Sequence, residues 1–177
     1  MMAAALVLTA AANAQSGNRY NQSNPVTLRI GAAMLTDSQA RDAVGSTGLN
    51  AGLSYDLPFS GLFHAPGERG SFDFDYLGFW RNGNNFNNFG FSYVERVPFS
   101  TGVVTGPAFY GGLGVGVWYD SASGGGGGSV NRTTIGGKAL LGLAFDQKFS
   151  VELSYDFRPN FFGVSPNAFT LSLGYRF

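Results

Sequence analysis

The chain contains no cysteine. Disulfides, thiolate metal sites, a cysteine nucleophile and a lipid anchor on cysteine are thereby excluded. Charge is scarce too. Asp, Glu, Lys and Arg make up 12% of the 177 residues, and acids and bases cancel. A nucleic-acid partner would need a basic patch to neutralise phosphates, and the sequence offers none. No carboxylate cluster has the spacing of a calcium loop, and no cofactor motif is present. Long apolar runs are also missing. After residue 14 nothing approaches the roughly 20 apolar residues a membrane helix requires. A chain of this kind can span a bilayer only as a closed barrel, the other fold that satisfies every backbone N–H and C=O within lipid.

Aromatics and glycine are plentiful. Phe, Trp and Tyr reach 15%, and there are 27 glycines. A soluble core leans on Leu, Ile and Val. Aromatics with small residues suit a barrel with aromatic girdles outside and a crowded interior. The first residues, MMAAALVLTAAANA, run apolar into Ala12-Asn13-Ala14, an A-x-A cleavage pattern, and then into polar Gln15-Ser16-Gly17. Residues 1–14 thus read as a secretory signal peptide, although no Lys or Arg precedes the apolar stretch. Residues 15–25 follow as a short N-terminal segment on the periplasmic side, and 26–177 as the barrel.

Period two dominates this remainder. Phe169, Leu171, Leu173, Tyr175 and Phe177 alternate with Thr170, Ser172, Gly174 and Arg176. Successive strand side chains point to opposite faces, so one face is wholly apolar. Phe149, Val151, Leu153, Tyr155 and Phe157 repeat the pattern against Ser150, Glu152, Ser154, Asp156 and Arg158. Similar alternation over 26–34, 47–57, 70–80, 88–97, 104–119 and 132–145 completes eight candidate strands. The expected fold is all-β, a closed antiparallel up-and-down transmembrane barrel. No segment shows a sustained helical period. Residues 35–46, 81–88, 120–131 and 158–167 are polar or rich in Gly, Asn and Ser, and read as extracellular loops. Short turns at 97–102 and 146–148 fall at the periplasmic end with both termini. The connection 58–69 is longer than such a turn needs.

The polar face decides which way the sheet curls. A soluble exterior is about a quarter to a third charged. This face carries Gly, Ser, Thr and Asn with isolated ions, which fits a narrow interior where eight strands leave room only for side chains. A soluble lipocalin-like binder, with its apolar face lining a cavity, is the main alternative. Arg29, Asp73, Asp75, Lys138, Glu152, Asp156 and Arg176 all fall on the polar face and form a candidate interior network. Folding the last long hairpin about Gln147 sets Lys138 opposite Asp156. Unpaired ions in a dry interior are costly, so these groups should be paired or hydrated. Gly112, Gly114 and Gly116 are read as making room for inward Tyr110, Trp118 or arginine side chains.

The chain ends Gly174-Tyr175-Arg176-Phe177, a terminal aromatic on an alternating strand. This resembles the C-terminal assembly signal of outer-membrane proteins, and especially the ending of the small OmpX- and OmpA-type eight-stranded barrels. The resemblance implies recognition by the barrel assembly machinery through Leu171, Leu173, Tyr175 and Phe177. It also implies a place in the outer membrane among lipid and lipopolysaccharide.

Some barrels of this size edit lipid A. A hydrolase of that type needs Ser, His and a carboxylate in contact. The one histidine, His64, lies in the 58–69 connection, and no strand brings a Ser and an acid to it. Asp73 and Asp75 share a face and could form an acid/base pair, but salt-bridge partners are the plainer reading. Phe86, Phe89, Phe161 and Phe162, in or beside loops, read as girdle residues. The reading is therefore of a non-enzyme, with no metal or cofactor, that acts structurally or through loops binding a surface ligand. A narrow channel or a carrier of small or hydrophobic molecules is the second possibility.

Overall fold

The computed structural model describes residues 25–57, 62, 68–99, 107–124, 128–146, 148–160 and 163–177. The signal-peptide region, His64, Phe161 and Phe162 lie outside the described residues. Eight strands form one closed barrel in sequence order. They are β1 Val26–Leu35, β2 Thr47–Asp56, β3 Arg69–Arg81, β4 Asn84–Pro98, β5 Ala108–Ser123, β6 Ser129–Ala144, β7 Phe149–Phe157 and β8 Ala168–Arg176. Every pair is antiparallel, and β8 pairs with both β7 and β1 to close the wall. A closed sheet leaves no edge within the bilayer.

The apolar face points outward. Ile30, Leu113, Leu141, Leu171 and Leu173 are all more than half exposed, whereas Asp73, Asn88 and Asp120 are fully buried. Aromatic rings pair across the outside of β3 and β4, with Phe74 on Phe91 at 4.7 Å and Tyr76 on Phe89 at 5.1 Å. Tyr155 and Phe169 meet at 4.6 Å across β7 and β8. Such cross-strand pairs stabilise by about 0.2–1 kcal/mol each. A sheet with this exterior is not a soluble lipocalin-like binder, whose apolar face would turn inward.

The wall is uneven. β7 and β8 have 9 residues each, while β5 and β6 have 16. β6 pairs with β7 over Gly137–Ala144, so residues 129–136 rise above β7, paired among the described residues with β5 alone. The regions 81–88 and 120–131, expected as loops, are mostly strand. Arg81 pairs with Asn84 around a two-residue turn, Asn82-Gly83, whose φ values of 50° and 79° are those of a tight hairpin. Here the inward positions stay buried, Phe86, Asn88 and Asp120 among them, while outward positions such as Asn85 and Asn87 are polar. The apolar/polar contrast then fades while the backbone pairing continues.

Two further expectations are corrected. A short helix, α1 (Ser38–Val44), follows β1 in a region expected to be loop. Asp37 caps it by accepting from the Ala40 N–H at 3.0 Å. Ala40, Ala43 and Val44 have helical spacing, but a stretch of seven residues carries too little periodicity to stand out. Phe86 is not a girdle residue. It turns inward, 7% exposed, and packs on Phe79. With Ala33, Leu35, Val44, Leu77 and Ala168 it forms an apolar cluster at the end of the barrel under α1.

The glycine stripe also serves other neighbours than expected. A Cβ on Gly112 would stand 2.9 Å from Leu140, and one on Gly114 2.8 Å from Val94. The room for inward Tyr110 comes from Gly142, and that for Trp118 from Gly90 and Gly136.

Candidate functional site

Inward positions on β1, β3, β4 and β7 bring four charged side chains into a closed ring. Arg29 Nη1 donates to Asp73 Oδ2 at 2.6 Å, and Arg96 Nη2 donates to the same oxygen at 2.8 Å. Arg96 Nε reaches Glu152 Oε2 at 3.1 Å, and Glu152 Oε1 returns to Arg29 Nη1 at 3.2 Å. Cation and carboxylate alternate around the ring, so each charge faces two of opposite sign. Ser71 and Tyr110 add hydroxyl donors to Asp73 and Glu152 at 3.0 and 3.3 Å. Arg29 Nη2 extends the network to Asp75 at 2.8 Å. Lys138 donates to the other oxygen of Asp75, and its ammonium stands 3.9 Å from Asp156.

Smaller groups lie on either side of the ring. At the end that carries the termini, Arg69 and Arg176 both bond to Oδ2 of Asp56, the latter at 2.6 Å. Toward the loop end, Arg158 and Asp120 pair at 2.7 Å with neither side chain exposed. Asn88 donates to the same Asp120 oxygen at 2.7 Å. The barrel axis is thus crossed by ion pairs at three levels. A desolvated pair returns little net stability, but stripping one partner leaves a buried charge and costs several kcal/mol.

Above the Asp120 level the lining turns apolar. Phe86, Ala122 and Val130 form one inward rung, each paired to the next across β4, β5 and β6. With Leu35, α1 and the residues Val164 and Pro166, they line a cup of about 270 Å³. Asp37 latches the cup's walls together, capping α1 while Oδ2 accepts from the Ser165 N–H at 3.1 Å. These two backbone donors, Ala40 first, hold the Asp37 carboxyl below its usual range.

No protein-family pattern matches the chain, and no curated protein matches it in sequence. Solved structures do. Neisserial surface protein A, NspA, aligns with a TM-score of 0.65 at 18% identity, over 85% of this chain and 94% of that one. The chain has the fold of the eight-stranded outer-membrane β-barrels. The barrel also aligns with the outer membrane protein Ail of Yersinia pestis in a phospholipid bilayer nanodisc, with a TM-score of 0.53 at 16% identity, over 88% of this chain and all of that one. The outer-membrane enzyme PagL gives 0.51 at 20% identity, over 85% of this chain and 97% of that one. With this fold and an apolar outer wall, the barrel resides in the outer membrane.

Six of the seven charged residues singled out in the sequence meet in one network: Arg29, Asp73, Asp75, Lys138, Glu152 and Asp156. Arg176 stands apart with Asp56. Sequence reasoning passed over Arg96, which completes the ring. The signal was there, since Arg96 shares its parity with inward Gly90 and Ser92, but buried Glu95 beside it breaks the alternation. Asp120 was passed over because its strand was expected to end before it. Of the assembly-signal residues, Leu171 and Leu173 face outward on β8. Tyr175 packs its ring on Phe149 and Phe177 at 5.1 and 4.9 Å. The Phe177 N–H bonds to the Val26 carbonyl at 3.0 Å, beside the strand that closes the barrel.

Proposed function

We propose that the protein is a non-enzymatic surface-interaction barrel, oriented with its termini in the periplasm and its uneven rim outside the cell. The observation that carries this reading is the projecting β5–β6 hairpin. Among the described residues, its β6 edge, residues 129–136, has no strand partner on the β7 side. An unpaired edge presents a row of N–H and C=O groups to which an extended segment of a partner can add as a further strand. Ile135, 71% exposed on this stretch, supplies an apolar contact beside those groups.

The closed ring of Arg29, Asp73, Arg96 and Glu152 supports a binding role over a channel. It fills the bore at mid-height with paired charges rather than leaving an aqueous path. The C-terminal residues Leu171, Leu173, Tyr175 and Phe177 act in delivery, as the signal read by the assembly machinery.

The test replaces residues 121–131 with a tight two-residue turn. Cells displaying the shortened barrel should lose attachment to protein-coated surfaces that cells with the full barrel retain, at equal amounts of folded protein. Equal attachment would remove the hairpin from the account. Two controls address the other readings: lipid A masses should be unchanged by expression, and single-channel recordings should show no steps.

A further inference from the structure

The bore on the terminus side of the ring holds a polar chamber of about 40 Å³. That is room for about three waters, or for one small ion with several oxygens. Arg29, Arg96 and Glu152 of the ring line it from within. Arg176 lines it farther out, since it pairs with Thr27, two residues nearer the terminus than Arg29. The Lys148 carbonyl accepts from the Arg176 N–H at 2.8 Å, which sets exposed Lys148 beside it at the mouth.

Charges match within the ring but not below it. Arg69, Arg176 and Lys148 line the chamber against two carboxylates, Asp56 and Asp146. One positive charge is left over. Asp146 is also engaged by the backbone, its Oδ1 accepting from the Lys148 and Phe149 N–H groups at 2.7 and 2.6 Å. Ser54 lines the same chamber. It is 3% exposed, and its hydroxyl makes no hydrogen bond. A buried hydroxyl without a partner is costly, so one facing a polar chamber points to a guest that supplies it.

The donors and the one acceptor select the guest. Arg176 bonds through Nε and Nη2, to Thr27 and Asp56, and keeps Nη1 as a further donor. Asp56 receives both arginines on Oδ2, so Oδ1 remains an acceptor. A guest must therefore accept from cations and a hydroxyl and also donate to a carboxylate oxygen. Hydrogen phosphate does both, with bare oxygens and an O–H on one atom. Sulfate and phosphodiesters have oxygens to accept with but no proton to give.

We propose that this chamber is a site for inorganic phosphate, held by Arg176, Lys148 and Ser54 and selected by Asp56. It lies at the opposite end of the barrel from the projecting β6 edge, and neither role depends on the other.

The experiment is calorimetric titration of the full barrel in phosphatidylcholine nanodiscs and phosphate-free buffer. The titrants are inorganic phosphate, sulfate and glycerophosphocholine, each corrected for empty nanodiscs. Phosphate should bind one-to-one and saturably, about tenfold or more tighter than either of the others. Arg176→Gln should weaken phosphate by about tenfold or more, and Lys148→Gln, at an exposed position, should weaken it too. Asp56→Asn should admit sulfate as well as phosphate, because an amide can donate where the carboxylate could only accept. The heat-dependent gel shift checks that each variant is folded. No saturable heat with phosphate, equal binding of phosphate and sulfate by the unaltered barrel, or full phosphate affinity in both cation variants overturns the proposal. So does a folded Asp56→Asn barrel that still rejects sulfate.

Discussion

Lys138 bonds to Asp75 from across the barrel, while Asp156, its partner in strand register, stands 3.9 Å from the ammonium. Register sets which side chains start as neighbours, and the curvature of a narrow barrel then decides which meet. The central network holds three cations, Arg29, Arg96 and Lys138, and four carboxylates, Asp73, Asp75, Glu152 and Asp156. Asp156 is the least engaged of the four, since its Oδ1 makes no hydrogen bond.

That imbalance ranks the carboxylates. Asp73→Asn removes the charge shared by Arg29 and Arg96 and leaves two buried guanidinium groups short of a partner. A loss of about 3–5 kcal/mol is expected from breaking such a pair. Asp156→Asn takes away the surplus charge and should cost less than Asp73→Asn, because its Oδ1 makes no hydrogen bond to lose. Urea unfolding of the two variants in lipid vesicles, followed by tryptophan fluorescence, measures both. Equal losses would contradict the ranking.

The outer wall makes a second demand. Leu153, exposed on β7, pairs with Leu141 and Leu171 on its neighbours. Leu153→Arg should destabilise the barrel in bilayers by about 2–4 kcal/mol, the cost of a cation on the lipid face near the midplane. A neutral outcome would mean that this face does not meet hydrocarbon.

Acid should loosen the cup before it unfolds the barrel. The Asp37 carboxyl is held below its ordinary value by the Ala40 and Ser165 N–H groups. A depressed folded-state value means that this stabilisation is fully present above the unfolded value near ~4. It is lost as pH falls through the folded one. Amide signals of Ala40 and Ser165 should therefore shift together below pH ~4, while those of β3 stay in place. In Asp37→Asn this joint transition should be absent. Its persistence would assign the transition to another group.

The C-terminus should matter more for delivery than for stability. Deleting Phe177 removes one exposed ring and one backbone bond to Val26. The amount of folded barrel in cell membranes should fall several-fold, while unfolding of the refolded protein in vitro changes little. Equal loss in both would make Phe177 a structural residue only.

The parts of the fold legible in the sequence are those where lipid enforces alternation. β7 and β8 alternate without a break, and the turn at Gln147 alone places Lys138 opposite Asp156, as found. What was not legible lies where that constraint lapses. At Asn84–Asn88, Asp120–Ser123 and Ser129–Arg132 the strands continue without the apolar-out, polar-in contrast. The helix after Asp37 is too short for its period to register. The ring needed Arg96, which sits beside an outward-parity Glu95 that is itself buried, so the alternation there gave no clear face. The cup could not be read at all, because it joins β1, α1, β4, β5, β6 and residues 164–166, and no local pattern records that meeting.

The central claim is a closed barrel with its apolar face in the outer membrane, and the most direct measurement is electrophoresis of the membrane fraction with and without boiling. Folded barrels of this type withstand detergent until heated. A protein retained in the outer membrane, with a mobility that shifts on boiling, is the result this account expects. A soluble protein with one mobility under both conditions would contradict it.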